Sequence, residues 1–298
     1  MPRSSAFLPE AVDATMQQAC RAAALDPCGS TLMRLGENML YQLSSAPVVV
    51  RIGRNLQHLD DARKEVAVAD WLASQGFPAA RTYEIGMDQP LVVNGHPVTF
   101  WQFLPGRPAN VDEAGMLGSL LRKLHHLAPP AVDLPPVEAF GHVLNRLIAA
   151  PIPSAHKDVL QAQVIDLESS LETLDFRLTP AAIHGDAHVK NVMVSEAGAT
   201  LIDLEAFGWG PAEWDLAKTA AETSMGMIGK RDYAAFVEAY GYDVTEWSGW
   251  PIMQGIQQVK MVSWLAQNVE HSPEIRAEYE KRIDTIRTGV LSEPWRGF

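Results

Sequence analysis

The sequence predicts an α+β chain in which a β-rich N-terminal part precedes a mainly helical C-terminal part. Three observations predict it. Between residues 31 and 104, short apolar runs alternate with turn residues, the pattern of strands. From Asp112 onward, apolar residues recur at helical spacing. One strand–loop–hairpin stretch, Ala181 to Glu205, interrupts those helices and gathers polar residues able to do chemistry.

The bulk numbers set the frame. A chain of 298 residues can hold two lobes sharing one cleft, or one large domain. Apolar content of 47% with 20% charged residues marks a globular chain rather than a disordered one. The start, M-P-R-S-S-A-F-L-P-E, lacks the apolar run of a secretory signal. No stretch approaches the roughly 18 apolar residues of a membrane span. Cys20 and Cys28 are too few and too oddly spaced for a disulfide framework or a zinc site, so free thiols in a cytoplasmic protein are expected. A formal charge of −12 argues against nucleic acid as a partner. Residues 110–298 hold 15 Lys+Arg against 26 Asp+Glu, and an acidic half of this kind attracts a cationic substrate.

Taken in order, Pro9–Leu25 reads as an amphipathic helix with Val12, Met16, Ala19 and Ala23 on one stripe. Strands are expected at Thr31–Leu35, Leu40–Leu43 and Val48–Ile52. A helix follows over Asp60–Ser74, with Val66, Ala69, Leu72 and Ala73 inward and Gly76-Phe77-Pro78 ending it. Thr82–Gly86 and Leu91–Val93 read as strand, and Asn94-Gly95 turns the chain into a strand over His96–Leu104. Pro105-Gly106 marks a boundary, giving lobes 1–105 and 106–298. Helices are then expected from Asp112 through Leu124, with Met116, Leu117, Leu120, Leu121 and Leu124 as the stripe, at Val137–Ala149 and at Ser154–Phe176. Further helices follow at Asp232–Tyr240, Glu246–Val269 and Pro273–Thr288.

The stretch Ile183–Glu205 reads I-H-G-D-A-H-V-K-N-V-M-V-S-E-A-G-A-T-L-I-D-L-E. A strand stops at His184-Gly185-Asp186; Asn191 follows Asp186 at +5 and opens a strand to Val194. Glu196-Ala197-Gly198 is turn chemistry, and a second strand, Thr200–Leu204, leads to Asp203, at +17 from Asp186, and Glu205. The hairpin thus delivers carboxylates and an amide to one end. Phosphoryl transfer needs such a set: a carboxylate to orient the attacking hydroxyl and take its proton, and Asn and Asp oxygens for Mg²⁺. His184-x-Asp186-x-His188 also suits zinc or iron in a metallohydrolase, but nothing downstream supplies the further His-rich ligands.

H-G-D-A-H-V-K-N followed by I-D-L-E resembles the aminoglycoside phosphotransferase family, which with choline kinase-like enzymes belongs to the protein-kinase-like superfamily. The resemblance covers about residues 30–220. It implies a two-lobe fold, with a small β-sheet N-lobe carrying one key helix and a mainly helical C-lobe. It implies transfer of the γ-phosphate of ATP, or of GTP in its place, to a small-molecule hydroxyl with Mg²⁺ as cofactor. Asp186 takes the place of the base, and His188 that of a catalytic-loop lysine aiding the γ-phosphate. Asn191, Asp203 and Glu205 fall at the metal. Leu35-Gly36-Glu37-Asn38 sits where the family has its nucleotide-covering loop, with Gly36 and Asn38 toward nucleotide. Arg51 stands where the family has a phosphate-binding lysine, a departure, because a guanidinium fork is not interchangeable with an ammonium. Glu65 matches the helix glutamate that pairs with that cation. Gln102 and Leu104 fall in the hinge whose backbone reads adenine. Trp214-Asp215-Leu216-Ala217 resembles the segment whose Asp braces the catalytic loop, and His184 is expected to brace it too. The acceptor expected is an amino sugar or aminoglycoside-like antibiotic; a metabolic kinase of choline, homoserine or sugar type, and a nucleotide-binding pseudokinase, remain as alternatives.

Overall fold

The structure, a computed structural model, describes residues 9–36, 38–141 and 143–298. The readings of residues 1–8, of Glu37 and of His142 within the helix expected over Val137–Ala149 lie outside the described residues. In chain order the elements are α1 (Pro9–Ala22), β1 (Thr31–Leu35), β2 (Asn38–Gln42), β3 (Val48–Gly53), α2 (Leu59–Ser74), β4 (Leu91–Val93), β5 (His96–Gln102) and β6 (Arg107–Pro108). Then come α3 (Ala114–His125), α4 (Val143–Ala149), α5 (Ser154–Glu172), β7 (Pro180–Ile183), β8 (Val192–Ser195), β9 (Gly198–Leu201) and β10 (Gly208–Pro211). The helices α6 (Glu213–Ser224), α7 (Lys230–Tyr240), α8 (Trp250–Ala266) and α9 (Pro273–Thr288) complete the chain. Strands dominate first and helices afterwards, the α+β order that the sequence predicts.

Two compact units share these elements. The first holds residues up to Pro108 with 128–134 and 191–207; the second holds 109–127, 135–190 and 208–298. In the first unit an antiparallel sheet runs β1-β2-β3-β5-β4. Strand alternation sends Val48, Val50 and Ile52 to one face, where they pack with Val98, Phe100, Met39 and the α1 stripe Val12, Met16, Ala19 and Ala23. The same alternation sends Arg51 to the opposite face, beside Thr99 of β5. A smaller sheet, β6-β8-β9, belongs to this unit, so the hairpin bearing Asn191, Asp203 and Glu205 goes with the N-terminal strands. Gly106 enters β6 at φ 124, and a side chain there would run into the Val194 carbonyl, so only glycine fits.

In the second unit α8 packs against α4, α5, α6 and α9. Helices α3 and α7 approach closely because Gly118 faces the Phe236 backbone, where a Cβ would come within 2.5 Å of the carbonyl oxygen. Strands β7 and β10 form a two-stranded ribbon, Ile183 opposite Gly208, which fixes the exit of β7 into His184.

Several elements differ from expectation for local reasons. Thr82–Gly86 is not a strand: β4 already pairs with the Val98 end of β5, and the Gln89 side chain bonds Phe100 N and Tyr83 O, leaving one bridge from Thr82 to Trp101. The helix expected over Val137–Ala149 starts at Val143, because Val137 donates its N–H to the Trp209 carbonyl (3.2 Å) instead. Strand β9 stops at Leu201, and Asp203 turns the chain at φ 64, ψ 67 into a 3₁₀ turn over Leu204–Ala206. The buried stripe of α2 is Glu65, Val68, Ala69 and Leu72, with Val66 and Ala73 only half-buried; a glutamate occupies the inward face because its partner Arg51 lies there. Met116 is 37% exposed, so the α3 stripe starts at Leu117.

Candidate active site

The first unit builds a cluster around Arg51. Its Nη1 donates to Glu65 Oε1 and its Nη2 to Glu205 Oε2, both at 2.6 Å. With its amide oxygen turned to the guanidinium, Asn38 accepts from Nη2 at 2.7 Å and from Nε at 3.1 Å. A five-donor fork is therefore held by three acceptors from β2, α2 and the turn after β9. Burial would lower the Arg51 pKa, but Glu65, Glu205 and Asp203 hold it above its usual value. For Glu65 the balance falls the other way. Burial raises its pKa to about 7 against the pull of Arg51, with Glu205 and Asp203 adding to the rise.

Glu65, Asp203 and Glu205 each offer a carboxylate oxygen within 4.8 Å of the others. Three hard oxygens at this spacing fit Mg²⁺, whose site commonly takes carboxylates completed by phosphate and water. Asn191 is buried at the open end of the hairpin, its carbonyl accepting from Ile202 N at 2.9 Å. Gly36 lies in the β1–β2 turn, its N–H on the Asn38 carbonyl. The Gln102 N–H donates to Arg81 O at 2.9 Å, whereas Leu104 lies beyond the end of β5.

The second unit builds the loop after β7. Asp215, fully buried in the first turn of α6, accepts from His184 N at 2.7 Å (Oδ2) and from Gly185 N at 2.9 Å (Oδ1). His125 Nε2 lies 3.0 Å from Asp215 Oδ2, and its Nδ1 lies 2.9 Å from the Tyr240 hydroxyl. A neutral imidazole with its hydrogen on Nε2 satisfies both contacts. His184 is wholly buried and accepts the Asp186 N–H at Nδ1 (3.4 Å). So His184 and Asp215 brace the loop, as the sequence implies, and His125 braces Asp215. Glu213 adds a strut, accepting from Arg177 N and Leu178 N at 2.6 and 2.7 Å just ahead of β7.

The braced loop presents the Asp186 carboxylate, 47% exposed, to two nitrogen groups: Lys218 Nζ at 3.5 Å from Oδ1 and His188 Nε2 at 3.6 Å from Oδ2. His188 thus pairs with Asp186 itself. Desolvation opposes ionisation of Asp186, but Lys218, His188 and Lys260 override it and hold the group far below the usual carboxylate range. Lys218, Lys260, Glu222 and Glu213 are absent from the sequence reading. Two signals were legible: Lys218 lies one turn beyond Trp214 on the same helix face, and Lys260 is the sole charged residue of α8.

A sheet followed by helices, a glutamate–arginine pair beside an acidic cluster, and an Asp-braced loop ending in an ionised aspartate define a phosphotransferase of protein-kinase-like fold. Residues 36–256 match the model of the phosphotransferase enzyme family, abbreviated APH. The chain belongs to that family and is an ATP-dependent phosphotransferase acting on hydroxyl groups. No curated protein sequence matches it. Among solved structures, amicoumacin kinase in complex with AMP-PNP, Ca²⁺ and its ligand superposes with a TM-score of 0.76 at 16% identity, over 97% of this chain and 98% of that one. The choline kinase of Streptococcus pneumoniae superposes at 0.68 and 16% identity, over 94% and 99%. An aminoglycoside phosphotransferase of Streptomyces rimosus superposes at 0.62 and 15%, over 83% and 98%. These structures share the fold.

Proposed function

We propose that the chain moves the γ-phosphoryl group of ATP to a hydroxyl of a small molecule, with Asp186 as the base. The observation that supports this most is the Asp186 loop itself. Two amides fastened to a buried carboxylate fix the backbone, while the side chain stays half exposed and ionised. An ionised carboxylate accepts the acceptor hydroxyl's proton as the oxygen attacks, and a rigid loop keeps that oxygen in line. Arg51, held by Glu65, faces the α- and β-phosphates, and Gly36, Asn38 and the backbone of Gln102 and Leu104 contact the nucleotide. Asn191, Asp203 and Glu205 would hold Mg²⁺, with Glu65 beside them, and the bound ion would neutralise phosphate charge. His188 steadies Asp186 and reaches the γ-phosphate. On this reading residues 1–105 serve as the nucleotide-covering lobe and 106–298 as the catalytic and acceptor lobe, in a cytoplasmic enzyme.

For the acceptor, the amino-sugar or aminoglycoside-like class of the sequence reading stands beside the choline, homoserine and sugar classes. The structural neighbours include amicoumacin, choline and aminopropanol kinases and an aminoglycoside phosphotransferase, and so do not choose among these classes. Purified protein with Mg-ATP and pooled hydroxyl compounds, followed by mass spectrometry, tests the proposal. A product heavier by one phosphoryl group is expected, and Asp186→Asn should lower its rate by about 10²–10⁴-fold with nucleotide binding retained. A variant as fast as the parent overturns the base assignment. ATP binding without transfer to any pool favours the pseudokinase.

A further inference from the structure

One lysine near Asp186 has no carboxylate at ion-pair distance among the described residues. Lys218 and His188 both approach the one Asp186 carboxylate. Lys260 is left over. Its Nζ lies over the Trp214 ring, 4.9 Å from the centroid, and no carboxylate lies within 4 Å of it among the described residues. The Trp214 indole donates to the Gly185 carbonyl at 3.4 Å, so Lys260 sits one side chain away from the base loop. Burial, then the neighbouring Lys218, lower the Lys260 pKa to about 8, with Arg146 adding to the fall, while Asp186 and the buried Asp215 pull it up. Glu222 shares this neighbourhood, but burial raises its pKa, so its negative charge is itself disfavoured there. Lys260 is half-buried, and an ammonium facing a ring recovers less than a paired anion supplies. Among the described residues, Lys260 thus has the Trp214 ring, and no carboxylate within 4 Å, as its direct neighbour.

We infer that the acceptor carries an anionic group beside its reacting hydroxyl, and that Lys260, with Lys218, binds this group while Asp186 takes the hydroxyl proton. The inference rests on the kinase reading and narrows its acceptor to hydroxy acids, hydroxy amino acids or phosphate-bearing alcohols. A polycationic amino sugar would set its ammonium groups against Lys218 and Lys260. In the transfer, the acceptor oxygen forms a bond to the γ-phosphorus as the bond to the β,γ-bridging oxygen breaks. The hydroxyl proton passes to Asp186, and ADP departs.

The test uses the full chain with Mg-ATP and matched acceptors: glycerate against glyceramide, homoserine against its amide, glycerol 3-phosphate against glycerol, and an aminoglycoside. Phosphorylated product is read by mass spectrometry, kcat and KM are measured for each hit, and acceptor binding is measured by calorimetry. The anionic member of a pair should be preferred, with glycerate and glycerol 3-phosphate separating carboxylate from phosphate recognition. Lys260→Met should raise its KM about tenfold, far more than it raises the neutral member's KM, with any fall in kcat shared by both members. A merely structural Lys260 would lower kcat for every acceptor and depress the melting temperature without that difference in KM. Equal use of both members, or preference for the aminoglycoside, overturns the inference. Calorimetry decides the case without turnover. Anion binding lost in Lys260→Met keeps the anion site and sinks the kinase reading, whereas no anion binding to the parent sinks the anion site.

Discussion

Replacing Arg51 tests the hub on which the nucleotide half rests. Glu65 is 2% exposed and its carboxylate is matched by the Arg51 guanidinium at 2.6 Å. Arg51→Met leaves that carboxylate buried without its partner. Breaking a buried ion pair costs about 3–5 kcal/mol. Exposure of 16% at Arg51 and 34% at Glu205 lets water screen the cluster, so the low end, about 3 kcal/mol, is expected. At roughly 2–4 °C per kcal/mol this lowers the melting temperature by about 6–12 °C. The sign of the pH dependence is fixed by linkage. Burial puts the folded-state Glu65 pKa at about 7, above its ordinary value of 4.5, so the folded state binds the extra proton and gains stability as pH falls through about 7. Removing Arg51 takes away the attraction that lowers this pKa, and it rises further. The deficit of Arg51→Met should therefore be largest near about pH 8 and shrink toward about pH 5. Adding Glu65→Gln should recover part of the loss at high pH. Arg51→Lys should keep the Glu65 contact, lose those to Glu205 and Asn38, and retain ATP binding. Calorimetric melting across pH is the assay. A deficit flat with pH, or no recovery from Glu65→Gln, would show that an uncompensated Glu65 is not its source.

Three further outcomes follow from the geometry. Asp215→Ala strips the acceptor from two loop amides and from His125; it should cost about 3–5 kcal/mol in chemical denaturation and lower kcat far more than it raises the KM for ATP. Gly106→Ala forces a side chain against the Val194 carbonyl at φ 124; a loss of at least about 2 kcal/mol is expected, and an unchanged melting curve would contradict the β6–β8 register. Asp186 is held below the usual carboxylate range, so it should set no acid limb in kcat/KM above about pH 4; Lys218→Met removes the largest of the pulls that lower it and should move that limb upward.

The α+β order was legible because strand and helix differ in period, and α1 buries the stripe the sequence indicates. Arg51 and Glu65 were legible as a pair only through the resemblance, since their separation of 14 residues has no local periodicity. Their third and fourth partners were not legible. Glu205 reaches Arg51 across 154 residues, and Asn38 meets it through the diagonal of the β2–β3 ladder, where Leu40 is the residue directly opposite. The misplaced strand at Thr82–Gly86 has the same origin. Its run of β-formers predicts a strand, but a side chain, Gln89, takes bonds to Phe100 and Tyr83 that a strand would make. Periodicity reports which face a residue takes, and says nothing of what comes to meet it from elsewhere in the chain.

Charge shows why the distinction matters for function. The C-terminal half carries a large excess of acidic residues, and by the sum alone it would draw cations. Yet a base is governed by the charges within a few ångströms, because water and salt screen those beyond about 10 Å. Within that radius Asp186 meets Lys218 and His188, while two of the acidic residues counted in the sum, Asp215 and Glu213, are buried and tied to backbone amides. Those two position the loop, with their oxygens spent on backbone amides. The same composition thus supports opposite expectations at long and short range. For a reaction whose acceptor oxygen must approach Asp186 closely, the short-range pattern decides.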